Sequence, residues 1–420
     1  MWRFPALVLL AAAALGLAGC GPMGDSGDHV TLTVATFGDF GYAPLFQQYE
    51  AEHPNIRITS RIADSDAHNR QLVSELAGGR GAADIEAIDE QYLPRFRQSA
   101  DKFVNLADYG ALGLKSQWVG WKWQQGVTDG GKRVLGLGTD MGGLAMCYRP
   151  DLFSTAGLPT NRTEVASLWP TWEDFATVAD RFTRGNTGAR FADSAGTIYT
   201  AIVNQAPENY FSRIDDSFIA DRNPDLRRAF TIAGSIGAKG QTAQVTTSTQ
   251  EWNVAIKQGT FATIACPAWL LSRIREAGGD ANAGKWDVTT VPGTGGNNGG
   301  SFLTVPKQSA HPREAYELAA WLTAPAQQKQ LFSSSGLLPS EPSVYHDPQV
   351  LNKTDPYFSG APTGQIFAGS ADGLTPGYRG LKDTTVRPEF GRALGRVETG
   401  KQNVDQAWAQ AVESALAALR

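Results

Sequence analysis

Apolar and polar positions alternate at period two across residues 31–36, where Leu32 and Val34 fall between threonines, and this predicts a strand. From residue 42 to 52 the spacing changes: Leu45, Phe46 and Tyr49 repeat at helical intervals until His53-Pro54 stops the run. A second strand is predicted over residues 56–59. Next come the polar loop Asp64-Ser65-Asp66 and a helix carrying Leu72, Val73 and Leu76, which Gly78-Gly79 ends. Residues 84–88 read as a third strand. The order β-α-β-α-β implies a parallel sheet covered by helices. Ligands of such sheets bind at the carboxyl ends of strands, here residues 37–41, 63–68 and 89–91.

A second unit begins near Gly142 with an apolar run over residues 144–148, after which Pro150 opens a helix. Helices are predicted around 171–182, 196–205 and 224–238, and an apolar strand at 261–266 ends on Pro267. Strands at 286–292 and 301–306 flank the Gly/Asn loop 293–300, and the remainder is helical apart from a Pro-rich stretch near 339–362. There is no internal repeat.

The first twenty residues bear on the compartment. Arg3 gives a basic start, residues 4–18 are almost wholly apolar, and Leu17-Ala18-Gly19-Cys20 follows, so residues 1–19 are expected to be a signal peptide. The run is too short for a spanning helix. The Leu-Ala-Gly-Cys ending resembles the lipobox of bacterial lipoproteins, which implies lipidation of Cys20 and anchoring on the outer face of the cell membrane. Residues 20–29, rich in Gly, Asp and Ser, read as the leash.

Roughly 400 residues remain, enough for two domains, and 42% apolar with 19% charged residues is an ordinary globular balance. The net charge of −5 becomes −6 once Arg3 is removed, with no basic cluster, which argues against nucleic acid as a partner. Eleven Trp, eleven Tyr and nineteen Phe leave aromatic faces to spare beyond core packing, and flat aromatic faces suit sugar rings.

No catalytic signature is found. The five histidines (29, 53, 68, 311 and 346) form no H-E-x-x-H, and there is no G-x-S-x-G elbow. Gly279 to Lys285 matches the first seven positions of a phosphate-binding loop, but Trp286 stands where Ser or Thr is required and a helix precedes it, so a helix-ending turn is expected. Asp64-Ser65-Asp66-Ala67-His68 lacks the Gly and Glu of a calcium loop; a helix cap by Asp66, or sugar contact by Asp64 and His68, fits better, and no metal or cofactor is expected. Asp39, Asp89, Glu90 and Asp140 are carboxylates that one cleft would bring together. A glycosidase would use two of them as acid and base, whereas a binding protein would use them as acceptors for hydroxyls.

Several segments together carry a family likeness. Residues 317–323 with Pro325, Met146 to Phe153 with Ala156-Gly157-Leu158-Pro159, Trp169-Pro170-Thr171-Trp172-Glu173, the return strand ending Cys266-Pro267-Ala268-Trp269, and Ser301 to Lys307 resemble motifs of the family 1 extracellular solute-binding proteins that serve ABC-type sugar importers. Residues 37–42, 136–149 and 265–269 look most like actinobacterial binding proteins for cellobiose and cello-oligosaccharides, though Asn298 stands where those carry an aromatic.

The resemblance implies an α/β, two-lobed periplasmic-binding-protein-like fold of type II, each lobe a helix-flanked sheet, joined by crossover strands. Residues 30–140 and 268–338 would form lobe one, and 141–267 and 339–420 lobe two. It implies a monomer that captures a carbohydrate by hinge closure and delivers it to membrane permease subunits, and no enzymatic activity. Sugar-contacting positions are expected at Asp39, Phe40, Glu90 and Gln91 after strands of lobe one, and at Thr139, Asp140 and Trp269 beside the first two crossings. Asn298 and Ser301 are expected at the third crossing, and Phe211, Trp252, Gln365 and Arg379 on lobe two. With Cys20 lipidated, Cys147 and Cys266 remain in an oxidising compartment and are expected to pair. A secreted glycoside hydrolase and a surface adhesin are the alternatives.

Overall fold

The computed structural model describes residues 29–293 and 295–420; the signal peptide, the lipobox Cys20 and most of the leash lie outside the described residues. Two sheets organise the chain. The first has five strands in the order Ile56–Ala63, Val30–Phe37, Ile85–Asp89, Ser301–Thr304, Gly136–Gly138. Its first three strands are parallel, as the β-α-β-α-β order requires, and Ser301–Thr304 returns antiparallel with Ser301 opposite Asp89. Leu32, Val34, Ile85, Ala87 and Leu303 are fully buried in a core shared with the helix Pro312–Leu322.

The second sheet runs Asp287–Thr289, Leu144–Tyr148, Phe261–Pro267, Arg190–Ala192. The continuous apolar run of its Leu144 strand has a physical cause: both faces are covered. Leu144, Met146 and Tyr148 enter one cluster with helices Trp172–Arg184, Ala195–Val203 and Pro224–Ala238, while Ala145 and Cys147 enter another with Trp252, Ile256 and Trp286. Cys147 and Cys266 lie on that second face of adjacent antiparallel strands and form a disulfide with Cα atoms 5.7 Å apart.

Two expectations need correction. The chain does not return to the first sheet at Trp269. Strand Phe261–Pro267 runs almost directly into the helix Leu270–Gly278, whose Leu270, Leu271 and Ile274 pack with Trp252 and Trp286, and Asp287–Thr289 then adds to the second sheet beside Leu144–Tyr148. The segment 268–289 therefore goes with the second sheet, held there by its apolar helix face. The cap of the helix Ser65–Gly78 is Asp64, which accepts from Ala67 N at 2.8 Å, rather than Asp66, which lies in the first turn.

Between the sheets the chain crosses at residues 139–143, where Asp140–Met141 pairs with Leu338–Pro339, and again through the Gly/Asn loop, where Asn298 N donates to Gly142 O at 2.8 Å. The Gly279–Lys285 segment follows the helix Leu270–Gly278 as a short turn, as expected of a helix end. Among the described residues no helix is long and apolar enough to cross a membrane.

Candidate functional site

A cleft of about 820 Å³ opens between the two sheets, and all three strand ends singled out by topology reach it. That volume lies in the ~300–1,000 Å³ range of small-molecule sites. After Val30–Phe37 the chain turns through Gly38 at φ +70°, and Asp39 closes the turn by accepting from Gly41 N at 2.7 Å. Phe40 packs edge-on against Phe37 and Tyr42, with ring centres 5.1 and 5.5 Å away. Asp64, the helix cap, presents its remaining oxygen from the second strand end. For Asp39 and Asp64 the partners are backbone N–H groups, which leaves acceptor capacity directed at the cleft.

The third strand end is more heavily tied. Asp89 accepts from Gln91 N and Nε2, both at 3.0 Å, and from Ser65 at 3.2 Å, and burial pushes its carboxyl above the ordinary range. Glu90, 2% exposed, accepts from Gln125 at 3.0 Å, from Arg379 Nε at 3.2 Å and from Asn297 at 3.1 Å. Gln91 accepts from Arg387 at 2.8 Å, and Arg387 is held in turn by Asp383. Arg379 and Arg387 come from the C-terminal part of the chain, so these contacts join the two sides of the cleft.

Its floor is built by the crossings. Asp140 accepts from Thr139 Oγ1 at 2.7 Å, and the Thr139 and Ser301 hydroxyls lie 2.6 Å apart. Beneath them Lys122 is fully buried, its Nζ 4.1 Å above the Phe302 ring and without a hydrogen-bond partner among the described residues. Burial pushes its pKa down to about 8, against the pull of Asp140, Glu90 and Asp89. Trp269, at the start of its helix, is half-buried and donates from Nε1 to Asn298 O at 2.8 Å. Gly299 passes so close that a Cβ there would stand 2.7 Å from that nitrogen.

Of the positions expected from sequence, Asp39, Phe40, Asp64, Glu90, Gln91, Asp140, Trp269, Asn298, Ser301 and Arg379 line this one cleft. The others do not. His68 is 3% exposed, with Nε2 2.7 Å from Ala87 O, because the helix that presents Asp64 turns positions 68 and 72 inward onto the sheet. Thr139 lies below the floor and orients Asp140 and Ser301. Phe211 is core, edge-on to Phe218, and Gln365 points outward from the helix Thr363–Asp372, whose buried face carries Phe367, Ala368 and Ala371.

Trp252 is fully buried against the second sheet. Its helix, Gln250–Gln258, faces the cleft with Gln250, Asn253, Val254 and Lys257, at helical intervals that were legible once Trp252, Ala255 and Ile256 were recognised as the core face. Arg273 and Arg387, also in the cleft, were missed because nothing local marks an arginine as cleft-facing. The described residues contain no cluster of three or more His, Cys, Asp or Glu side chains able to hold a metal ion.

The whole arrangement has known counterparts. A solved structure described as an extracellular solute-binding protein of family 1 is 43% identical and superposes with a TM-score of 0.83, over 93% of this chain and 100% of that one. The ABC-transporter-associated binding protein of B. animalis subsp. lactis, solved with β-1,6-galactobiose, is 20% identical with a TM-score of 0.78, over 91% of this chain and 96% of that one. An arabinooligosaccharide-binding protein of Halalkalibacterium halodurans is 21% identical over 72% of this chain and 68% of its own length. The two-lobed architecture of periplasmic sugar-binding proteins is thus the fold of this chain. Residues 44–358 match the family profile described as bacterial extracellular solute-binding protein, and with the 43% relative this establishes that the chain belongs to the bacterial extracellular solute-binding protein family.

Proposed function

We propose that this chain is the carbohydrate-capturing component of an ABC importer, held on the outer face of the cell membrane through a lipid on Cys20. The observation that carries the reading is the convergence, in one cleft between two sheets, of the under-used carboxylates Asp39 and Asp64, the floor carboxylate Asp140 and the ring of Trp269. A neutral sugar needs this combination: acceptors that strengthen when desolvated for its hydroxyls, and a flat apolar partner for its CH face. The relatives named for β-1,6-galactobiose and arabino-oligosaccharides support a di- or oligosaccharide ligand. Cellobiose remains the first sugar to try, from the resemblance in residues 37–42, 136–149 and 265–269.

In this reading residues 30–138 with 301–337 form one lobe and 144–292 with 340–420 the other, and the ligand is enclosed when they close about the crossings. Glu90–Arg379 and Gln91–Arg387 bridge the lobes and bias them toward closure. The protein acts as a monomer with permease subunits as its macromolecular partner.

Calorimetric titration of the purified mature protein with cellobiose, maltose, xylobiose, arabinobiose and β-1,6-galactobiose tests the proposal. One sugar should bind at 1:1 stoichiometry and be recovered intact. A hydrolase would instead consume it during the titration, with Asp89, the raised carboxyl at the cleft, as the acid to suspect. Absence of binding across the panel would remove the carbohydrate assignment.

A further inference from the structure

Lys122 is a buried charge that touches no part of the cleft surface, yet the chain makes room for it there. Its stem passes beside Gly138, where a Cβ would stand 2.9 Å from the lysine Cγ and Cε. Its Nζ ends under Gly300, a residue of the cleft wall at φ +94°. A Cβ on Gly300 would stand 2.9 Å from that nitrogen and 2.5 Å from the Asp140 carbonyl oxygen. The ammonium is fully buried over the Phe302 ring, and no hydrogen-bond partner reaches it among the described residues. A charge buried without a direct partner is costly, and such costs gather at functional sites.

Few charges face it. Gly136–Gly138 and Ser301–Thr304, the strands against its helix Gly120–Gly126, bring no titratable group. The crossing brings Asp140, and the end of Ile85–Asp89 brings Asp89 and then Glu90; these three attract the ammonium. Glu90 already has a cation, Arg379, and the amide of Gln125 from the helix of Lys122 itself. Arg387 is held by Asp383. Asp140 has no such partner: among the described residues its carboxylate accepts only from the Thr139 hydroxyl. Lys122 is the cation left to balance it.

We propose that Lys122 is a positioning residue of the binding site: from beneath the cleft floor its ammonium balances the charge of Asp140 and holds that carboxylate toward the ligand. The inference rests on the carbohydrate reading. When the lysine is neutral, Asp140 and Glu90 repel across a dry floor with no cation between them, and Asp140 is displaced from the hydroxyl it accepts. Burial holds the Lys122 pKa down at about 8, so its charged fraction falls from roughly 90% at pH 7 to roughly 10% at pH 9. Affinity is therefore greatest below pH 8 and is lost above it, and ligand binding near pH 8 takes up protons.

The test titrates the mature protein calorimetrically with cellobiose, maltose, xylobiose, arabinobiose and β-1,6-galactobiose at pH 7 and pH 9. It then follows whichever sugar binds in Lys122→Met, Asp140→Asn and the double variant. Wild type should bind about tenfold more weakly at pH 9 than at pH 7. At pH 8, in two buffers of different ionisation enthalpy, it should take up protons on binding. Lys122→Met, similar in length but neutral, should bind at pH 7 about as weakly as wild type does at pH 9, change less than about twofold between the two, and take up no proton. In the Asp140→Asn background the lysine substitution should cost no more than about twofold, because the group it acts through is gone. If Lys122→Met does not fold, proton uptake by wild type against none by Asp140→Asn decides. A wild-type affinity that is constant from pH 7 to pH 9, a pH slope that survives in Lys122→Met, or losses that multiply in the double variant overturns the positioning role and leaves the carbohydrate reading in place. If none of the sugars binds at either pH, the carbohydrate reading falls and this inference falls with it.

Discussion

Arg379 Nε donates to Glu90 Oε1 at 3.2 Å, joining the end of a first-sheet strand to the C-terminal segment that packs with the second sheet. Both side chains are nearly sealed from solvent, 9% and 2% exposed. In the proposed hinge motion, opening must part them. Arg379→Met removes the paired cation while keeping most of the bulk, and it leaves Glu90 hydrogen-bonded only by the amides of Gln125 and Asn297, with Lys122 and Arg387 as more distant cations. Removing one member of a buried pair costs about 3–5 kcal/mol. Urea unfolding should show a loss of that order, and Glu90→Gln combined with Arg379→Met should recover a large part of it. Small-angle scattering of the unliganded single variant should report a larger radius of gyration. A variant as stable and as compact as wild type would mean that the pair holds nothing together.

The Cys147–Cys266 disulfide closes a span of 119 residues. In the chain-entropy account a loop of that order stabilises by about 4–5 kcal/mol. Both sulfurs sit in the core with Trp252, Ile264 and Trp286, so Cys147→Ala with Cys266→Ala loses packing as well. The double variant should unfold at distinctly lower denaturant, and denatured, unreduced wild type should show neither of these thiols free. Unchanged stability would show that the strand pairing alone fixes this sheet.

Asp193 is fully buried, with its carboxylate held by the Ser194 amide at 2.7 Å, Thr197 at 2.8 Å and Thr247 at 3.2 Å. Burial outweighs these bonds and pushes its pKa up to about 7. The folded state then holds this proton more tightly than the unfolded chain does. The group's stabilisation is complete below pH ~4 and is lost as pH rises to about 7, a change of up to about 4 kcal/mol at 1.36 kcal/mol per pH unit. Asp193→Asn removes it. The stability difference between wild type and variant, measured by denaturant unfolding from pH 4.5 to 7.5, should shift steadily against wild type. A constant difference would show that Asp193 stays ionised throughout.

Local pattern carried most of the framework. The strand at 144–148 and the helix at 224–238 are found at the residues expected, because an apolar run and a capped period are properties of a short window. The three strand ends were placed at the cleft by topology alone. Long-range choices were less legible. Whether residues 268–289 joined the first or the second sheet depended on which core Leu270, Leu271 and Ile274 completed, and no window shows that. Phe211 and Trp252 are expected from the resemblance to close on the sugar from lobe two, yet a large aromatic is as readily core, and only its neighbours decide. The arginines that tie Glu90 and Gln91 come from nearly 300 residues away in the chain; Arg379 is expected at the site from the family resemblance, whereas nothing in the sequence marks Arg387.

Trp269, a residue of the cleft wall, is fixed at one edge: its Nε1 bonds to Asn298 O at 2.8 Å. A ring held in place before the ligand arrives needs no ordering on binding, which is the value of preorganisation. Trp269→Ala should therefore weaken binding of the cognate sugar by roughly 1–3 kcal/mol, the scale of losing one buried apolar face, and abolish most of the change in tryptophan emission on titration. The fold should survive, since the ring is only half-buried. Gly299→Ala separates the ring from its placement. At φ +125°, with a Cβ that would stand 2.7 Å from the indole nitrogen, alanine must displace either the loop or the ring. Affinity should fall although every side chain of the cleft remains, and the emission change should shrink rather than vanish. If Gly299→Ala binds as wild type does while Trp269→Ala does not, the ring matters and its tether does not. If Trp269→Ala binds as tightly as wild type, the indole is a packing element, and the acceptors Asp39, Asp64 and Asp140 must hold the sugar without it.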